Sequence, residues 1–117
     1  MNKKRKGYTN RTLDKLWSKK VKELAGNKCE FCGSKEKLNA HHIQPRRLYS
    51  VRWNVDNGIC LCENCHTKNI YSAHKNPAWF YYMMVDRRGE GWLKVLVDYT
   101  VHFDWKNNLK SIKESLK

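Results

Sequence analysis

Apolar residues recur at helical spacing over residues 12–25. Leu13, Leu16, Trp17, Val21 and Leu24 fall on one stripe, with lysines on the other face. This predicts an amphipathic helix that stops at Gly26-Asn27. Leu38 to Ile43 reads as a short strand ended by Gln44-Pro45. Residues 46–56 read as a basic loop, and the turn signal Asn57-Gly58 leads into a second strand from Ile59 to Leu61. A helix is expected from Cys65, carrying His66, Lys68 and Ile70. Asn76-Pro77 reads as an N-cap and a first-turn proline. Trp79, Phe80, Met83 and Met84 then form a helical stripe suited to a core, and Gly89-Glu90-Gly91 breaks it. A further helix is expected from about Trp92 to His102, although Val95 to Val101 is also rich in strand formers. Asp104 reads as the cap of a last helix, with Trp105, Leu109, Ile112 and Leu116 on one face.

A chain of 117 residues with two short strands and several helices is a single small α+β domain. We divide it into a basic arm (1–8), an N-terminal helix (9–26), a core (27–75) and a C-terminal helical extension (76–117). No apolar run approaches the ~18–20 residues of a membrane span. Met1 to Lys6 is basic, but no apolar segment of a secretory signal follows. A reducing, cytoplasmic setting is therefore expected, with no membrane partner. The net charge of +13 is large for this length and points to a polyanionic partner, nucleic acid first. The excess is uneven. Residues 1–28 carry ten basic and two acidic side chains, against six and four in residues 29–68 and eight and five in residues 69–117.

The middle of the chain is where the cysteines gather. Cys29-Glu-Phe-Cys32 and Cys62-Glu-Asn-Cys65 are two C-x-x-C knuckles, and each places two thiolates on one side of a tight turn. Together Cys29, Cys32, Cys62 and Cys65 supply the four tetrahedral ligands of a structural zinc, and Gly33 suits the first turn. A redox dithiol needs only one pair, and an iron–sulfur centre would need other support. Cys60 alternates with Cys62 along the strand and reads as a small buried apolar residue. Such a metal contributes much of the folding free energy of a domain with a modest core.

Between the knuckles lies Leu38-Asn-Ala-His41-His42-Ile-Gln-Pro45, followed by Asn57-Gly-Ile-Cys-Leu-Cys62, and the second knuckle ends in Cys65-His66. Paired histidines, an asparagine and a knuckle with an attached histidine, in this order, resemble the HNH nuclease family over roughly residues 27–75. The resemblance implies a zinc-stapled ββα-metal core of the treble-clef type and a metal-dependent DNA endonuclease. It places His41 and His66 as ligands of a catalytic divalent ion and His42 as general base. Asn57 becomes the asparagine that fixes the loop bearing the base. Magnesium is the expected ion, with manganese, nickel or cobalt as substitutes. The chemistry is coherent. An ion on neutral imidazoles polarises a phosphoryl oxygen, and an unligated imidazole takes a proton near neutral pH. Adjacent histidines on a strand diverge, so the pair can divide these tasks. The reverse order of roles within the pair stays open, and so does a plain turn role for Asn57.

Arg46, Arg47 and Arg52, on the loop beside this constellation, are candidate contacts to double-stranded DNA, with Lys68 beside them. Lys3 to Lys6 are candidates for the DNA backbone. His74 and His102 read as structural or surface residues. A zinc deaminase needs H-x-E and P-C-x-x-C, and a two-Cys two-His finger needs H-x₃₋₅-H after its cysteines; neither pattern is present. The competing reading is a non-catalytic zinc module, or a recombination or packaging accessory, that binds nucleic acid. A monomer and a dimer are both compatible with the chain.

Overall fold

The computed structural model describes residues 7–117. The expected basic arm falls largely outside them. Among the described residues the order is α1 (Asn10–Leu24), β1 (Leu38–His42), α2 (Tyr49–Arg52), a 3₁₀ turn (Val55–Asn57), β2 (Gly58–Cys62), a wide π turn (Asn64–Lys68), α3 (Pro77–Arg88), α4 (Glu90–His102) and α5 (Leu109–Ser115). The expected α+β class is what the structure shows.

β1 and β2 form an antiparallel two-stranded sheet in which His41 faces Ile59 and His42 faces Gly58. Two strands cannot stand alone in water, so the sheet is clasped between helices. Alternation along β2 divides the core. Cys60 packs with Leu13, Trp17 and Val21 of α1, together with Trp53, Leu109 and Leu116. Ile59 and Leu61 point the other way, to Phe80 and Met84 of α3 and to Cys29 and Cys62. Cys60 is fully buried, as a small apolar residue should be. The approach of α1 to the sheet depends on Gly58, where a Cβ would lie 2.5 Å from Val21 Cγ2 and 2.7 Å from Trp17 Cζ2. That contact brings Trp17 to the end of β1.

Helix ends follow local chemistry. The Thr9 side chain accepts from the Thr12 N–H and caps α1, and Asn76 accepts from the Trp79 N–H and caps α3 with Pro77 in the first turn. Gly89, at φ 89°, ends α3 in a conformation that favours glycine. Gly91 does not prolong the break, because α4 begins at Glu90.

Three expectations need correction. The loop 46–56 contains α2 and the 3₁₀ turn, both too short to show as periodicity. The helix expected from Cys65 through Ile70 is one π turn ending at Lys68, and Ile70 is exposed. The last helix begins after Asn108 rather than at Asp104. Asp104 instead accepts from the Asn107 and Asn108 side-chain amides, and Trp105 leaves the helix to stack on Tyr49.

Candidate active site and metal centre

The two knuckles converge. The sulfur atoms of Cys29, Cys32, Cys62 and Cys65 all lie within 4.8 Å of one another, and those of Cys32 and Cys62 are 3.5 Å apart. A tetrahedral zinc with ~2.3 Å bonds to sulfur has sulfur–sulfur edges of about 3.8 Å, so the donor set fits the ion. Burial raises the Cys29 thiol, but the backbone N–H groups of Cys62, Cys32 and Phe31 bring it down to about 7. Burial and the thiols of Cys62 and Cys29 push Cys65 up. Four thiolates this close need a cation among them.

At the other end of the sheet the paired histidines separate. His41 projects toward α3, with its ring 5.3 Å from Phe80 and edge-on to it. His42 projects toward α1 and stacks on Trp17, with centroids 3.7 Å apart and planes 10° from parallel. His41 meets His66 and His74: the three imidazoles offer nitrogen atoms within 4.8 Å of one another. The His66 and His74 Nε2 atoms are 3.0 Å apart. Burial first, then the neighbouring imidazoles of His66, His74 and His42, push His41 down to about 3. Burial and His74 likewise lower His66. Imidazoles converging from three segments can hold a divalent ion and leave positions open for other ligands.

His74 is the residue that the sequence reading missed. On a continuous helix it would lie two turns beyond His66. Instead the π turn stops, residues 69–75 fold back, and the His74 N–H bonds to the His66 carbonyl at 3.0 Å. The Asn69 side chain accepts from the Tyr71 N–H and turns the chain. Asn76-Pro77 bounds a helix from Cys65 but does not announce the return that brings His74 back.

His42 Nε2 lies 2.8 Å from the Arg52 carbonyl oxygen. Burial lowers its pKa, while the Arg52 carbonyl and the charge of Asp14 partly oppose that shift. Asn57 is completely buried. Its Oδ1 accepts from the Gln44 N–H (2.6 Å), and its Nδ2 donates to the Gln44 and Val51 carbonyls (3.1 Å each). It therefore ties both ends of the 44–51 loop and is more than a turn residue.

The candidate phosphate contacts do not stay together. Arg46 lines a cleft of about 720 Å³, along with His41, His42, His66, His74 and Asp14. Arg47 is exposed on the adjoining turn. Arg52 is corrected: its fork is spent on Asp14, with Nε to Oδ1 at 2.9 Å and Nη2 to Oδ2 at 2.7 Å, between Tyr49 and Trp53. Lys68 pairs with Glu63 at 3.0 Å in the depression by the cysteines, away from the histidine cleft. Phe80 and Met84 are buried in the core as expected, and His102 is exposed on α4.

A zinc-suited knuckle pair stapling two strands, with histidines and an asparagine at the far strand end, is consistent with a ββα-metal fold. The HNH endonuclease family model matches residues 29–71, which hold both knuckles, His41, His42, Asn57 and His66. This match implies nuclease-like chemistry on nucleic acid for the matched segment. His74, α1 and the C-terminal helices lie outside the matched residues. No curated protein and no solved structure matches the chain. No helix among the described residues is long and apolar enough to cross a membrane.

Proposed function

We propose that this chain is a metal-dependent DNA endonuclease that hydrolyses phosphodiester bonds with His42 as general base. One observation carries the reading, the 2.8 Å contact between His42 Nε2 and the Arg52 carbonyl. A carbonyl oxygen only accepts, so Nε2 holds the ring proton and Nδ1 keeps its lone pair. Its lowered pKa leaves the ring neutral at pH 7 and ready to take a proton from water at Nδ1. The resulting imidazolium keeps its Nε2–H bond to the same carbonyl. Asn57 holds the loop that presents this carbonyl. His41 and His66, joined by His74, would hold the catalytic ion, and Cys29, Cys32, Cys62 and Cys65 the structural zinc. A bound divalent ion, Mg²⁺ in the cell, supplies charge stabilisation for the phosphoryl group and the leaving 3′-oxygen. Arg46, which lines the cleft, and the exposed Arg47 next to it are the candidate phosphate contacts. The +13 charge favours a nucleic-acid partner, and double-stranded DNA is the form the family resemblance implies.

Supercoiled plasmid tests this reading. The protein should nick or linearise it in Mg²⁺ or Mn²⁺ and leave it intact in EDTA, with 5′-phosphate ends. A gel shift without cutting under any ion would favour a non-catalytic binding module. Removal of His74 should weaken the ion site without unfolding the zinc core. His74→Ala is expected to raise the Mn²⁺ dissociation constant at least about tenfold, by calorimetry, while the zinc content stays at one per chain.

A further inference from the structure

We propose that helix α1, which lies outside the HNH segment, positions the general base, with Asp14 acting through Arg52 and Trp17 acting directly. The inference rests on the nuclease reading of His42.

The carbonyl that fixes the His42 tautomer belongs to the peptide unit shared by Arg52 and Trp53. That peptide closes α2, a helix of four residues with no intrinsic stability of its own. Its position depends on what grips its ends. The Arg52 guanidinium donates to both oxygens of the Asp14 carboxylate, and the Trp53 indole N–H donates to Oδ1 at 2.8 Å. One carboxylate thus clamps both side chains that flank the accepting carbonyl. Burial raises the Asp14 carboxyl, but the bonds from Arg52 and Trp53 and the charge of Arg52 outweigh it, so the carboxylate stays ionised well below neutral pH.

Trp17 follows Asp14 by three residues and shares its face of α1. Its ring covers one face of the His42 imidazole, and its indole N–H donates to the Asn54 carbonyl at 2.8 Å, pinning the same loop two residues further on. The stack limits tilting of the imidazole, and the clamp fixes the acceptor at its Nε2. If the acceptor moved, a neutral imidazole would populate both tautomers. The Nδ1–H form has no lone pair at the atom that takes the proton.

Asp14→Asn in the full zinc-loaded chain tests this. It should lower kcat for plasmid nicking by about 10–100-fold, with KM, zinc content and Mn²⁺ affinity unchanged. In ¹⁵N-histidine spectra, the His42 ring should change from a single Nε2–H tautomer to a mixture. Arg52→Lys, which keeps the charge and loses the fork, should do the same, and combining the two should cost no more than either alone. Lys19→Ala, on the exposed face of α1, should leave kcat untouched. Parental kcat with an unchanged Nε2–H signal, in whichever of the two variants retains zinc, would overturn the inference. If the parent itself does not cut DNA, the nuclease reading fails, and the tautomer shift alone decides whether Asp14 positions His42.

Discussion

His42→Ala will cut DNA about 10²–10⁴-fold more slowly than the parent, because the only proposed acceptor for the water proton is gone. Zinc content, Mn²⁺ affinity and DNA affinity will be retained. His42 is not in the three-imidazole cluster, and its ring lies on the opposite side of the sheet end from His41. The variant leaves Trp17 without its stacked partner and the Arg52 carbonyl without its donor, which should cost about 1–3 kcal/mol of stability. That loss is separable from catalysis when single-turnover rates are measured well below the melting temperature. Exogenous imidazole should restore part of the rate by entering the vacated space. Parental rates in His42→Ala would exclude it as the base, whatever the fold.

Cys62→Ala will lose zinc and, with it, cooperative folding. A structural Cys₄ zinc contributes about 10–16 kcal/mol of apparent binding free energy, against a total stability of about 5–15 kcal/mol for a domain. Cys62 also closes β2, so its loss uncouples the sheet from the first knuckle. Cys60→Ala is the matched control. Its side chain is equally buried but faces Leu13 and Trp17 rather than the sulfur cluster. It should lose only about 1 kcal/mol, the cost of a small cavity, and keep its zinc. Metal analysis with thermal unfolding distinguishes the two. Equal effects from Cys60 and Cys62 would contradict the four-cysteine assignment.

What the sequence disclosed divides along a physical line. The knuckles, the His41-His42 pair and the strands were legible because each is a local pattern with a short spacing and one stereochemical meaning. Strand alternation already implied that neighbouring histidines diverge, and the structure sends one to α3 and one to α1. His74 was not legible, because its place depends on a π turn and a return loop that no period announces. Arg52 misled for a related reason. Its exposed, basic loop context suggested phosphate, but its partner Asp14 is 38 residues away in sequence and meets it only after folding. α1 read as an amphipathic helix with a core face, which it is. That two of its residues reach the base required the close approach over Gly58.

Hydrolysis driven by one ion at the histidine cluster is the central claim to test. The decisive measurement follows plasmid cleavage and Mn²⁺ occupancy together while the ion is titrated into zinc-loaded protein freed of other divalent ions by dialysis, with one zinc per chain verified. The expected result is no cutting at zero occupancy, a rate that rises in proportion to one bound ion per chain, and loss of both signals when His41 and His66 are replaced by alanine. Cutting that persists in EDTA, or a fully occupied site that leaves supercoiled DNA intact, would contradict it.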